Sequence, residues 1–301
     1  MERTRSVTRN VDAILCSDMH LREDTPTCWT GDFQMEQWTA VQCLKNLQAK
    51  YKCPVLHAGD LFHHWKPSPW LLSMAMRHLP ADFYSIYGQH DLPQHNLDLS
   101  PKCGMNTLEM SGHVKIVSAC HYGQTPEQLM IPYTHHGKCI ISVPFLMWHH
   151  LTYQKKPFPG AANGMAGGIL RKYPKYDLIL TGDNHQAFVE ELDGRILVNP
   201  GSLTRQNADQ IDFQPRVYLY YANTNTVEPV YMPLMENVIT REHIEVKTQR
   251  NERIDSFISQ LDGDWTIGLS FEENLETFKS KNNVDKEVMQ LIYNAIENGT
   301  T

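Results

Sequence analysis

Ligand-type side chains follow directly after several short apolar runs of this chain. Asp18 and His20 come after the first run, Asp60 comes after the second, and the third is followed by Gly-Gln-His-Asp, ending at Asp91. In α/β sheets, residues at the carboxyl edge of a strand point into the crevice where ligands bind. The strand-edge candidates of this kind are, in chain order, Asp18, His20, Asp60, Gln89, His90, His149, Asp183 and His185.

If these edges lie side by side, they form a dense cluster of carboxylates and imidazoles. Such a cluster is hard to hold together without a metal ion to neutralise it. Carboxylate with neutral imidazole suits Mn²⁺, Fe²⁺ or Zn²⁺, and the thiolates that favour a structural zinc site are absent from these edges. A single Asp-x-His is a weak signal, whereas five edges that each carry a ligand-type residue indicate a metal site.

Hydrophobic periodicity predicts the elements that must position these side chains. Strands are expected over residues 11–17, 53–58, 82–87, 114–117, 139–143, 145–148 and 176–181. Amphipathic helices are expected over 33–50 and 69–78, and the Pro- and Gly-containing residues 155–168 are expected to form a loop. The second half is more hairpin-like, with strands over 188–192, 195–198, 217–221 and 227–232. A strand over 239–247 and helices over 251–261 and 284–297 are expected beyond a boundary near residue 235.

Composition describes an ordinary globular protein. The chain has 301 residues, of which 41% are apolar and 20% charged, enough for one large domain with a small appendage or for two modest domains. The net charge is −7 and there is no basic tail. A nucleic-acid binder of this charge needs a local positive patch, or metal ions that invert the local field.

Cysteine usage favours a reducing compartment. The seven cysteines are odd in number and form no Cys-x-x-Cys pair, which predicts reduced thiols and a cytoplasmic location. The first five residues lack the apolar core of a signal peptide, and no apolar run approaches the roughly 18 residues of a membrane span, so no membrane association is expected.

The order of the motifs resembles that of the calcineurin-like metallophosphoesterases. In that family the order is Asp-x-His, Gly-Asp, Gly-Asn-His-Asp, His and Gly-His-x-His. The chain looks similar to the Mre11/SbcD nuclease branch, in its compact phage-like form. The cues for the branch are Gly-Asp-Leu-Phe-His and Lys-Pro-Ser within residues 59–68, and Asn-Pro-Gly-Ser-Leu-Thr-Arg at 199–205. The resemblance covers roughly residues 10 to 233.

The resemblance implies a role for each matching residue. The first metal ion would be held by Asp18, His20 and His185, and Asp60 would bridge both ions. The second ion would take Gln89, His149 and Asp183. His90 would donate a proton to the leaving oxygen and be kept in orientation by Asp91, and His63 would help to place the scissile phosphate.

Two adjacent histidine pairs leave a choice of residue. Only one of His63 and His64 is expected to face the metals, and His63 is preferred from its place after Asp60. His149 is preferred over His150 because it ends an apolar run and matches the family position.

Two positions depart from the family pattern, and both fall on the second metal. The chain has Gln89 where the family usually has Asn, and Asp183 where it usually has His. Gln keeps the amide oxygen but reaches farther, and Asp replaces a neutral ligand by an anion. The hypothesis is that the two changes compensate and that this site favours Mn²⁺ or Mg²⁺ over softer ions. The alternative is a weakened second site.

The resemblance implies an α/β fold, a four-layer α/β/β/α sandwich, with residues 1–234 as catalytic domain and 235–301 as a capping or partner-binding extension. It implies a Mn²⁺-dependent DNA nuclease, acting by two-metal phosphodiester hydrolysis in DNA repair, recombination or replication, with Mg²⁺, Fe²⁺ and Zn²⁺ as other metals to consider. The expected partners are DNA, an SbcC/Rad50-like ATPase and a second copy of the chain.

Two alternatives stand beside the nuclease. A phosphodiesterase or phosphatase for small nucleotides would use the same metals, and the net charge of −7 slightly favours it. A binding subunit with a decayed site is supported only by Gln89 and Asp183, and the retained metal-type residues argue against it.

Overall fold

A computed structural model describes residues 10–117, 120–128, 134–135, 138–155, 164–242, 248, 250–254, 271–282 and 284–298. The chain divides into two compact units, Met1–Thr240 and Arg241–Thr301. All the motif residues identified from the sequence belong to the first unit.

The strands of the first unit form two main sheets. The described strands are, in chain order, β1 (Ala13–Cys16), β2 (Val55–His57), β3 (Phe83–Ser85), β4 (Lys115–Ile116), β5 (Thr134–His135), β6 (Lys138–Cys139), β7 (Phe145–His149), β8 (Leu178–Gly182), β9 (Phe188–Leu192), β10 (Arg195–Asn199), β11 (Arg216–Tyr221) and β12 (Thr226–Tyr231). One sheet has the order β12-β11-β1-β2-β3-β4 and the other β7-β8-β10-β9, while β5 and β6 pair separately. Strands β1 to β4 are parallel to one another, and β7, β8 and β10 are parallel in the second sheet.

The described helices are α1 (Phe33–Tyr51), α2 (Pro69–His78), α3 (Gly104–Met110), α4 (Ala166–Lys172), α5 (Phe271–Lys281) and α6 (Lys286–Asn298). The side chain of Asp32 accepts a hydrogen bond from Met35 N and so caps α1. Ser68 caps α2 in the same way, and Pro69 fills the first helical position, where its missing N–H costs no hydrogen bond. The short 3₁₀ helices are Pro93–His95, Leu97–Lys102, Pro126–Gln128 and Ala208–Gln210.

Alternation along β1 separates two hydrophobic cores. Ala13 and Leu15 face a core that also contains β7, β8 and β10, whereas Ile14 and Cys16 face a core shared with α1, α2 and α3. Successive side chains of a strand point to opposite faces, so one buried strand serves both cores. Because α4 lies against β9 and β10, the layers are helices, sheet, sheet and helix, and the expected α/β/β/α sandwich is confirmed.

Most local predictions agree with the structure, with the following corrections. Residues 140–143 form bends, and the predicted strand over 139–143 is reduced to the last residue of β6. Helix α4 begins at Ala166, inside the predicted loop, because tertiary packing of Ile169 and Leu170 overrides the low helix propensity of Gly167 and Gly168. Helix α5 was not predicted. The predicted strand over 239–247 is wrong in its described part, because Ile239 forms only an isolated bridge with Trp29 and residue 242 is helical. Residues 243–247 and, in the predicted helix over 251–261, residues 255–261 lie outside the described residues.

Within the described part of the chain, no helix combines the length and the apolar character needed to cross a membrane.

Candidate metal centre

The loops that follow the parallel strands meet at one edge of the sandwich. The loops after β1, β2 and β3 come from the first sheet, and the ends of β7 and β8 come from the second. Backbone hydrogen bonds continue beyond the strands: Asp18 N donates to Gly59 O and His20 N to Asp60 O, both at 3.0 Å. Two loops far apart in sequence are therefore fixed to each other at the point where their ligand-type residues stand.

The first group of converging side chains contains Asp18, His20 and His185. Their ligand atoms lie within 4.8 Å of one another. The Nε2 atoms of His20 and His185 are 3.0 Å apart, so both ring nitrogens face the same point. Burial lowers the pKa of His20 far below its usual range, so the ring is neutral and its nitrogen can act as a ligand.

The second group contains Asp18, Asp60 and His149, all buried, again within 4.8 Å of one another. His149 Nδ1 donates a hydrogen bond of 2.7 Å to the carbonyl oxygen of Ala58. This bond orients the ring and turns Nε2 toward the carboxylates, as the outer hydrogen bond of a metal-binding histidine usually does. Burial lowers the pKa of His149, but the Asp60 carboxylate outweighs burial and raises the pKa to about 10, so a metal ion bound at Nε2 would displace a proton from that nitrogen.

Asp60 lies between the two groups. Its Oδ2 is 3.6 Å from His20 Nε2 and 3.5 Å from His149 Nε2, and it has no hydrogen-bond partner although it is buried. The other oxygen, Oδ1, accepts a hydrogen bond from His90 N at 2.9 Å. Burial raises the pKa of Asp60, but His149 and His20 lower it by more, so the carboxylate stays charged.

These orphaned atoms fit a divalent cation. A buried carboxylate oxygen and a buried imidazole nitrogen without partners are costly unless something polar is placed between them. Asp60 Oδ2 and His149 Nε2 are both such atoms, and they face each other. Oxygen and imidazole nitrogen donors together suit Mn²⁺, Fe²⁺ or Zn²⁺.

The backbone at this edge is held in a conformation that L-residues seldom adopt. Asp18, His20, Asp60 and Asp183 have φ of 47°, 45°, 58° and 77°. Residues in the left-handed region cost of order 1–3 kcal/mol each and cluster at functional sites. Gly182 shows how closely the loops approach: a Cβ there would lie 2.5 Å from Ala58 O and 3.3 Å from Asp18 Oδ2.

Gln89 and Asp183 are joined directly. Gln89 Nε2 donates a hydrogen bond of 2.7 Å to Asp183 Oδ1. The backbone N of Asp183 donates to the Asp18 carboxylate at 3.0 Å, which fixes the loop after β8 to the loop after β1. The two residues that depart from the family pattern therefore lie together beside the second group.

A third group brings His20, His63 and His90 together. His90 Nδ1 donates a hydrogen bond of 2.8 Å to the carbonyl oxygen of His63. The neighbouring His64 is exposed. The structure thus places His63 and not His64 in the cluster.

His150 points away from the second group in the same way. Its ring stacks on Trp148, with centroids 4.1 Å apart, while His149 faces Asp60. Adjacent residues at the end of a strand point to opposite sides, so only one of the two histidines can reach the centre.

Asp91 does not orient the His90 ring as expected. Its buried carboxylate accepts hydrogen bonds from four backbone N–H groups, those of Asp60, Leu61, Phe62 and Gly88, at 2.9–3.2 Å. Asp91 therefore joins the loop after β3 to the loop after β2, and the His90 ring is oriented by a carbonyl oxygen.

The segment from Asn199 to Arg205 forms backbone hydrogen bonds with two residues of the first group. Leu203 N donates to Asp18 O and Ser202 N to His185 O, both at 3.3 Å. Arg205 is buried and donates to Glu36 Oε2 at 3.3 Å, which ties the segment to the start of α1.

Asn184 is not among the residues that the sequence singled out, and the structure gives it a positioning role. Its Nδ2 donates to Thr152 O at 2.6 Å, and its Oδ1 accepts from Gln186 N at 3.0 Å. The first bond ties the loop of Asp183 and His185 to the loop that follows His149. Asn next to the Gly-Asp turn was the only signal in the sequence, and that signal is common in ordinary turns.

Comparison with known proteins agrees with this geometry. The model of the calcineurin-like phosphoesterase superfamily domain matches residues 12–215. No curated protein matches the chain.

Solved structures give matches of low identity. An archaeal phosphodiesterase has 13% identity and a TM-score of 0.41, with 73% of this chain and 99% of that chain covered. A metallophosphoesterase from Sphaerobacter thermophilus has 13% identity and a TM-score of 0.37, with 74% and 89% covered. Vacuolar protein sorting 29 from Cryptosporidium parvum has 15% identity and a TM-score of 0.31, with 74% and 97% covered.

Proposed function

Because this chain belongs to the calcineurin-like phosphoesterase superfamily, whose members hydrolyse phosphoesters at a dimetal site, we propose that it is a metal-dependent phosphodiesterase. The observation that carries the proposal is the position of Asp60, whose unpartnered Oδ2 lies between His20 and His149. One carboxylate oxygen there can serve two ions at once.

The proposed ligands follow from the geometry. Asp18, His20 and His185 would hold one ion, His149 would hold the second, and Asp60 would be shared between them. Gln89 and Asp183 would complete the ligands of the second ion, because their mutual hydrogen bond leaves one carboxylate oxygen and the amide oxygen as donors to a cation.

When bound, two such ions would supply Lewis-acid chemistry: they would polarise a phosphate, activate a water and stabilise the leaving oxygen. His90 supplies the proton. Its Nδ1 donates to the His63 carbonyl, which only accepts, so Nε2 is the nitrogen that exchanges a proton with the leaving group. His63 stands beside it, with ring centroids 5.5 Å apart, and contacts the substrate phosphate.

The substrate we favour is DNA, cleaved by a Mn²⁺-dependent nuclease of Mre11/SbcD type in repair, recombination or replication. Two motif segments support this choice. Residues 59–68 and 199–205 carry the sequence motifs that resemble the Mre11/SbcD branch.

A small-nucleotide phosphodiesterase or phosphatase is the second candidate. The net charge of −7 favours it, because a polynucleotide is repelled by an acidic protein unless metals or a local cation offset the field.

One experiment separates the two candidates. Purified protein is incubated with single- and double-stranded linear DNA and with bis-p-nitrophenyl phosphate, in Mn²⁺, Mg²⁺ or Zn²⁺. Cleavage of DNA in Mn²⁺ by the wild type, with a loss of about 10²–10⁴-fold in the His90→Ala variant, is expected because the variant lacks the general acid. Hydrolysis of the small ester without cleavage of either DNA would exclude the nuclease and support the small-nucleotide phosphodiesterase or phosphatase.

The partners remain part of the proposal. We propose that the chain acts as a homodimer with an SbcC/Rad50-like ATPase, that the C-terminal extension contributes to that contact, and that the complex works in the cytoplasm.

A further inference from the structure

Arg22 follows the ligand-bearing loop of β1 and lies beside His63. Leu21 forms a parallel bridge with Phe62, and His63 N donates to Leu21 O at 3.1 Å. Arg22 therefore lies two residues beyond the proposed metal ligand His20. It directly follows Leu21, whose carbonyl oxygen accepts the hydrogen bond from His63 N.

The backbone of Arg22 is held by helix α1. Its N–H donates to Gln37 Oε1 at 3.0 Å, and its carbonyl oxygen accepts from Gln34 Nε2 at 2.9 Å and Gln37 Nε2 at 3.1 Å. A residue clamped on both sides presents its side chain from a fixed point, which reduces the entropy lost when that side chain binds a ligand.

The guanidinium group of Arg22 pairs with the carboxylate of Asp24. Nε donates to Asp24 Oδ1 at 2.9 Å, and Nη2 donates to Oδ2. The Arg22 side chain is 13% exposed, whereas Asp24 is 68% exposed. An ion pair with so exposed a carboxylate contributes only about 0–1 kcal/mol. A phosphate, which accepts two parallel hydrogen bonds from an arginine, can replace it.

The positive charge of Arg22 acts on His63, which belongs to the histidine group at the site. The guanidinium group of Arg22 and the imidazole of His63 lie close enough to interact electrostatically, and so do Asp24 and His63. Arg205, at the end of the segment from Asn199 to Arg205, differs from Arg22. It is buried against Glu36 and the carbonyl oxygen of Met235, so it is not available to a ligand.

We propose that Arg22 binds the phosphate next to the scissile one in a polynucleotide, exchanging Asp24 for that phosphate. The proposal rests on the phosphodiesterase function and deepens it. Arg22 supplies a local positive charge that helps an acidic chain to bind a nucleic acid. It also favours polynucleotides over small esters as substrates. A small ester has no second phosphate and gains nothing from this contact.

The test compares the Arg22→Ala variant on linear DNA and on bis-p-nitrophenyl phosphate in saturating Mn²⁺. We expect kcat/KM to fall at least tenfold more on DNA than on the small ester, mainly through KM. The slope of log KM for DNA against log salt is expected to decrease by about one, the value for one lost phosphate contact. Arg22→Lys keeps the charge but not the fork, so it is expected to recover the salt slope and only part of the KM.

Arg171→Ala is the matched control, because it removes the same charge from the exposed end of α4. It is expected to leave both activities unchanged. Equal losses on the two substrates in Arg22→Ala, or an unchanged salt slope, would overturn the proposal. A wild type that cleaves the small ester but no DNA would instead overturn the nuclease function, and with it the role of Arg22.

Discussion

Gln89 and Asp183, the two departures from the family pattern, contact each other directly. The hydrogen bond of 2.7 Å uses the amide nitrogen of Gln89 and one oxygen of Asp183. The amide oxygen and the second carboxylate oxygen remain as acceptors. The contact spans 94 positions in the sequence, and it supports the hypothesis that the two departures from the family pattern compensate.

We expect the paired substitution Gln89→Asn with Asp183→His to shift metal preference toward Zn²⁺. Replacing a carboxylate by an imidazole softens the donor set, so the ratio of the Zn²⁺ to the Mn²⁺ affinity should rise by about tenfold or more. Titration calorimetry measures both affinities.

The control for that pair is Asp193→His, which makes the same change of charge in an exposed turn. It is expected to bind metals as the wild type does. A single binding event per chain for the wild type at saturating Mn²⁺ would contradict the two-ion arrangement itself.

At the scale of the elements, Asp91 acts as a joint between two loops. One carboxylate accepts four backbone N–H groups, three from the loop after β2 and one from the loop after β3. Burial and the nearby Asp60 raise the pKa of Asp91 to about 7, so above that pH these hydrogen bonds have a charged acceptor and are about twice as strong as neutral ones. The joint holds Asp60 and His90 in fixed positions on neighbouring loops.

The Asp91→Asn variant is expected to be less stable even without metal. An amide offers one oxygen and directs an NH₂ group at backbone donors, and each buried donor left unpaired costs about 1–3 kcal/mol. Urea unfolding in the presence of a chelator measures this cost apart from metal binding.

Asp98→Asn, in the exposed 3₁₀ helix Leu97–Lys102, provides the matched substitution. Its unfolding midpoint should equal that of the wild type. If Asp91→Asn also kept the wild-type midpoint, the carboxylate would not have the joining role described above.

At the scale of the whole first unit, the buried carboxylates and imidazoles of the candidate metal centre lower the stability of the fold when no cation is bound. Buried carboxylates, orphaned ring nitrogens and four left-handed residues are gathered at one edge of the sandwich. The two hydrophobic cores on either side of β1 hold this edge together. Ligand binding to the folded state alone stabilises it by mass action.

Mn²⁺ is therefore expected to raise the unfolding temperature. At a free concentration one hundred times Kd, each site contributes about 2.7 kcal/mol. Differential scanning calorimetry with and without Mn²⁺ measures the shift. The Asp60→Asn variant should lose most of it, because it lacks the charged bridging oxygen, and an equal shift in both proteins would exclude Asp60 from the centre.

The amino-acid sequence alone predicted the strands and helices of an α/β fold, and the resemblance to the metallophosphoesterases added the four-layer arrangement. Strand alternation and helix periodicity are local properties, and ligand-type residues at strand ends are expected to meet where parallel strands end side by side.

Only the tertiary structure decided which atoms face one another. The four hydrogen bonds to Asp91, the contact of Gln89 with Asp183 and the placing of Arg22 beside His63 join residues from separate loops. Helix α4 likewise forms through packing that its own glycines oppose. Such contacts depend on distances in space between residues far apart in the chain, and no local pattern of residue types encodes those distances.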